Sequence, residues 1–113
     1  MTKNNIILPI SVNQVNVSLE VWLGSKGNIR DFINNDSAAI QLLPELVKRH
    51  YTPTLQYDYM IHQWKFHISP ERWSRTGRAV IMIGSTIAQA ICLGILRLEQ
   101  VKEDQETNKL LEG

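Results

Sequence analysis

The sequence predicts an α+β fold, in which an antiparallel sheet (a hairpin plus an N-terminal strand) packs with two α-helices as a helix–sheet–helix sandwich. Three observations predict it. Residues 15–23 alternate between apolar and other side chains with period two. Residues 54–68 hold two extended runs around a short connection. Two alanine-containing stretches, 38–43 and 86–101, carry apolar residues at helical spacing. The 113 residues amount to one domain. They divide into an N-terminal strand extension over 1–29, a small sandwich domain over 30–104 and an acidic tail over 105–113 that is expected to fray.

The N-terminal strand rests on Val15, Val17, Leu19, Val21 and Leu23, which fall on one face, with Asn16, Ser18, Glu20 and Trp22 on the other. Residues 6–12 read as a further strand, which Pro9 would confine to an edge or a bulge. Gly24 to Asn28 form a turn. Asn34-Asn35-Asp36-Ser37 then offers cap residues for a helix over about 36–49, with Asp36 as a cap and Ile40, Leu43 and Val47 on one stripe. Pro44 either kinks this helix or starts a second segment. Lys48, Arg49 and His50 close it, where the helix dipole favours positive charge.

A hairpin follows. Thr54 to Tyr57 is one strand and residues 61–68 the other, with His62, Trp64, Phe66 and Ile68 on the core face and the connection at Asp58-Tyr59. Ala79 to Ile83 is a short strand that Gly84 and Ser85 end. Ser85 or Thr86 caps a long helix reaching about Asp104, on the stripe Ile87, Ile91, Gly94, Ile95, Leu98 and Val101. Leu93 and Leu96 lie off that stripe. They are the residues expected to bury themselves in a homo-oligomer contact, unless the N-terminal segment folds over them.

Composition excludes several classes. Net charge is +1, which argues against wholesale coating of nucleic acid. Residues 99–112 hold five acids and two lysines, so the body before them carries a mild positive excess. One cysteine, Cys92, rules out an internal disulfide and lies in an apolar run, where a buried inert thiol is expected. No stretch of eighteen apolar residues suggests a membrane span, and the compartment expected is the cytoplasm. His50, His62 and His67 lack the spacing of a zinc set, and no metal or other cofactor is expected. No glycine-flanked serine and no paired carboxylates point to an enzyme.

The stretch richest in recognition chemistry is Pro70 to Arg78. Arg72, Arg75 and Arg78 offer forks for phosphate or carboxylate, and Trp73 offers an aromatic face. Tyr57 and Tyr59 are further candidates to stack on a base. Gly84-Ser85-Thr86 before the long helix could contact an anion, although capping explains it as well.

Residues 31–101 also resemble a family. A polar entry, Ile33-Asn34-Asn35-Asp36, precedes Ala38-Ala39-Ile40-Gln41-Leu42-Leu43. The strands Leu55-Gln56-Tyr57-Asp58 and Trp64-Lys65-Phe66-His67-Ile68 come next, and Thr86 to Leu96 includes the run Ala90-Ile91-Cys92. This pattern resembles the phage ABA sandwich domain, a small helix–sheet–helix module of phages and prophages. Residues 1–29 and the loop over 69–83 depart from it. The resemblance implies a mobile-element origin and a fold, and brings no catalytic motif. The function expected is therefore that of a non-catalytic phage accessory protein that binds a host protein, such as a defence component, and sequesters or inhibits it. The alternatives are a nucleotide-signal binder using the loop over 70–78, and, less favoured by the charge, a DNA-binding accessory protein.

Overall fold

The computed structural model describes residues 11–25, 27–71 and 79–112, with side chains through residue 102. The elements are α1 (Val12–Leu23), α2 (Asp36–Ile40), α3 (Leu43–Lys48), β1 (Tyr51–Asp58), β2 (Gln63–Pro70), β3 (Val80–Gly84) and α4 (Ile87–Glu112). The strands form one antiparallel sheet in the order β1-β2-β3. The α+β class stands, and helices flank the sheet along the chain. In space they share one face of it. Tyr51, Phe66, Ile68 and Val80 are buried on that face, while Thr52, Thr54, Gln56, Ile81 and Ile83 on the other face are exposed.

The expected N-terminal strand over 15–23 is corrected to the helix α1. Ser11 and Gln14 form a capping box: the Gln14 N–H donates to Ser11 Oγ at 3.0 Å, and the Gln14 side chain accepts from the Ser11 N–H. Gly24 ends the helix at φ 75°, a left-handed conformation that glycine adopts without a Cβ penalty. Val15, Leu19 and Trp22, spaced by four and three, form the buried stripe. The alternation of valines was real, but two fixed ends and this stripe favour the helix. The strand read at 6–12 falls largely outside the described residues; its last two, Ser11 and Val12, belong to the cap and first turn of α1.

The single helix expected over 36–49 is two short ones, α2 and α3, with Pro44 in the first turn of the second. A proline there has no N–H to bond and its ring would strike the carbonyl four residues back, so the chain restarts instead of bending. His50 ends α3 at φ 70°. The hairpin is in the expected place, but its connection is Tyr59 to His62, two residues longer than Asp58-Tyr59. His62, expected on the core face, sits exposed in this turn at φ 55°. The tail expected to fray continues as α4 to Glu112.

The sheet and α4 meet closely. Phe66 and Ile68 of β2 and Ile91, Ile95 and Leu98 of α4 are all buried in one core. Each such side chain contributes about 1.5–3 kcal/mol by leaving water. Two glycines set the distance. A Cβ on Gly84 would stand 2.6 Å from the Ala90 backbone nitrogen, and one on Gly94 would stand 2.8 Å from Phe66 Cδ2. Gly84→Ala should therefore push β3 and α4 apart and destabilise the protein by about 2 kcal/mol. Urea denaturation checks this; an unchanged midpoint would mean that the helix is free to shift.

Candidate functional site

Two regions lie towards the end of the sheet that holds the hairpin turn. The first is the turn itself. Asp58 Oδ1 accepts from the Met60 N–H at 2.9 Å, and its other oxygen lies 3.5 Å from Lys65 Nζ. The Met60 N–H, and after it Lys65, hold the Asp58 carboxyl below its ordinary pKa. The Tyr57 ring meets Tyr59 edge-on at 5.0 Å and Trp64 edge-on at 5.2 Å. Such contacts add about 0.5–1.5 kcal/mol each beyond burial. The result is a braced platform from which Tyr59, Met60 and Ile61 project with 78%, 89% and 45% of their surface exposed.

The second region is a cleft of about 390 Å³ lined by Ile33, Asn34, Asn35, Asp36, Ser37, Thr86 and Gln89. Its polar groups serve the helix ends. Asn35 Oδ1 accepts from the Ala38 N–H at 3.1 Å, so Asn35, not Asp36, caps α2. Asp36 Oδ1 instead accepts from the Ala88 N–H at 2.9 Å, across to α4. Thr86 Oγ1 accepts from the Gln89 N–H, and Gln89 Oε1 accepts from both the N–H and the hydroxyl of Ser85. A carboxylate of the protein thus already faces the positive end of α4. The anion contact envisaged for Gly84-Ser85-Thr86 is occupied by capping.

The loop between Ser25 and Asn35 is pinned to α1 by two buried polar residues. Asn16 Oδ1 accepts from the N–H groups of Phe32 (2.9 Å) and Ile33 (3.1 Å), and Asn16 Nδ2 donates to Asp31 Oδ1. Glu20 takes the Arg30 guanidinium on both oxygens at 2.9 and 3.0 Å, the Arg30 N–H at 2.9 Å and the Ser25 hydroxyl. Arg30 outweighs the opposing cost of burial and, with Ser25, lowers the Glu20 pKa from 4.5 to about 2. Both residues belonged to the face that strand alternation assigned to solvent. Their signal was available in the Ser11–Gln14 box, which turns that alternation into a helix.

Of the residues singled out by sequence, Arg72, Trp73, Arg75 and Arg78 lie outside the described residues. The neighbours of that loop, Glu71 and Ala79, are at the far end of the strands. Tyr57 and Tyr59 are at the hairpin end, and the run from Tyr57 back to Tyr51 spans roughly 20 Å. Leu93 and Leu96 are half-buried against the core. Cys92 is buried, and burial together with Asp31 raises its pKa to about 12. His50, His62 and His67 are dispersed, and among the described residues no group of three His, Cys, Asp or Glu side chains is placed to hold a metal ion. No helix among them is long and apolar enough to cross a membrane. Met60 and Ile61 were missed because the connection was read two residues too short. The signal was three large apolar residues in a row at a turn.

Comparison with family models, with curated proteins and with solved structures gives no match for this chain.

The Glu20 pKa sets an acid limit. A carboxyl whose folded pKa lies below its unfolded value stabilises fully above the unfolded value, 4.5, and loses that contribution as pH falls towards about 2. Because Arg30 is half exposed, the contribution is on the order of 2 kcal/mol. Glu20→Gln should lower stability at pH 7 and flatten the decline between pH 4.5 and about 2. Denaturation midpoints measured against pH would contradict this if the two proteins ran parallel.

Proposed function

We propose that this chain is a non-catalytic binding protein that docks a protein partner through its hairpin end. One observation carries the reading: Tyr59, Met60 and Ile61 stand exposed on a hairpin braced by Tyr57, Trp64 and Asp58. Adjacent large apolar side chains held in water mark interaction surfaces. Aromatic and methionine side chains are enriched in interface cores, and a knob ordered beforehand loses little entropy on docking. Asp58 is offset by Lys65, so the knob is nearly neutral and suits an apolar pocket on a folded protein. The resemblance of residues 31–101 to the phage sandwich domain supports a partner in the host cell, bound and thereby sequestered or inhibited.

Affinity capture from bacterial lysate, at low and moderate salt, tests this with the wild type and Met60→Asp. The wild type should retain one stoichiometric protein at both salts. The variant should bind it at least tenfold more weakly, about 1.4 kcal/mol. Equal recovery by the two proteins, or no partner for the wild type, counts against the reading.

A second reading, a nucleotide-signal binder, has an observation of its own. The Glu71 N–H donates to the His50 carbonyl at 2.9 Å, and His50 Nδ1 lies 3.6 Å from Glu71 Oε2. The end of α3, with Lys48 and His50, therefore lies beside the end of β2, and residues 72–78 follow in the sequence. A nucleotide bound there at a hundred times its Kd should add about 2.7 kcal/mol of stability. A thermal-shift screen of cyclic and linear nucleotides would remove this reading if none raises the Tm.

A further inference from the structure

Among the described residues β1 and β3 are the two edges of the sheet, and they differ in chemistry. β1 carries Pro53, which has no N–H, and its exposed outward side chains are Thr52, Thr54 and Gln56. β3 reads Val80-Ile81-Met82-Ile83-Gly84, with neither charge nor proline, and Ile81 and Ile83 are 59% and 44% exposed. An apolar edge without such guards is a template for pairing with another strand.

Helix α4 borders the same edge. A Cβ on Gly94 would lie 2.8 Å from Phe66 Cδ2 and 3.5 Å from Met82 Cβ, which places the helix above the boundary of β2 and β3. At about 100° per residue, Ala88, Cys92 and Glu99 share one flank of α4. That flank faces the other helices: the Ala88 N–H meets Asp36, and Glu99 Oε2 accepts from Trp22 Nε1 at 3.2 Å. α3 packs on β1, and Arg49 just after it stacks on Trp22 of α1, so these helices lie towards the β1 side. The opposite flank, with Leu93, Arg97 and Gln100 half-buried, therefore points past β3.

We propose that β3 and this flank of α4 pair with the same surfaces of a second copy, across a two-fold axis at Met82, to join two three-stranded sheets into one. In this antiparallel register Ile81 of each copy falls opposite Ile83 of the other. The spacing favours a second copy as the occupant. Strands pair about 4.8 Å apart, and each α4 sits half a strand inside its own β3. The two α4 axes then lie about 10 Å apart, within the distance at which helices pack. Gly94 is level with Met82, so Leu93 comes beside the axis and meets its counterpart. β3 runs roughly 17 Å and the helix flank from Leu93 to Gln100 roughly 10 Å, a face at the small end of stable interfaces. The dimer is accordingly expected to be of micromolar strength. Hairpin docking plays no part in this pairing, and either can fail without the other.

Sedimentation equilibrium of the full chain across the micromolar range tests the proposal. The wild type should pass from monomer to dimer. Leu93→Glu should remain a monomer. Ile81→Lys should also remain a monomer, and adding Ile83→Glu to it should restore the dimer, because the register sets the two positions opposite each other. Ile81 and Ile83 face solvent, so circular dichroism of these two variants should match the wild type and separate lost pairing from lost folding. A wild type that stays monomeric throughout would overturn the proposal. So would a dimer unaffected by Ile81→Lys and Leu93→Glu, or a double variant that folds and stays monomeric.

Discussion

The close seating of α4 on the sheet is the constraint from which the rest of the molecule follows. Gly84 lets the helix backbone at Ala90 approach β3, and Gly94 lets Phe66 rise against the helix. With no room for a Cβ at either point, the helix has one height above the strands, and Ile91, Ile95 and Leu98 share one buried core with Phe66 and Ile68. Interiors packed to this density transmit small displacements. The height of α4 in turn fixes where Ala88 and Glu99 stand, and so where α2 and α1 can attach.

Polar side chains then fasten the flanking segments to that frame. Asp36 spans from α2 to the first turn of α4, Asn16 holds the backbone at Phe32 and Ile33, and Glu20 collects Arg30 and Ser25. Arg49 donates to Glu45 and to the Trp22 carbonyl and stacks on the Trp22 ring, joining α3 to α1. Each bond is modest against water, but each also satisfies a group that burial would otherwise leave unpaired, which is the costlier outcome. The short helices α2 and α3, too short to persist alone, are held by these ties more than by their own propensity.

The surfaces left over are unequal in chemistry. The helix-covered face is buried at Tyr51, Phe66, Ile68 and Val80, the hairpin end presents apolar side chains on an aromatic brace, and β3 presents isoleucines without a guarding charge. The cleft between the Asn34–Ser37 segment and α4 is polar, but much of its hydrogen-bonding capacity serves helix caps. Apolar surface that survives on so small a body is the strongest pointer to what the protein meets.

The sequence by itself determined the α+β class, the hairpin strands, β3 and the capped start of α4, because each is specified by neighbours: period-two alternation, turn residues, or an N-cap. It also held the boundary of α1 in Ser11, Gln14 and Gly24, but alternating valines carry a strand signal that only the packing of Val15, Leu19 and Trp22 against the body overrides. Where Asp36 points and why Asn16 and Glu20 are buried were decided by the tertiary structure. Those are relations across long sequence separations, such as the fifty-two residues between Asp36 and Ala88. Local periodicity fixes which face of an element is apolar; it does not encode which distant group will stand opposite a polar one.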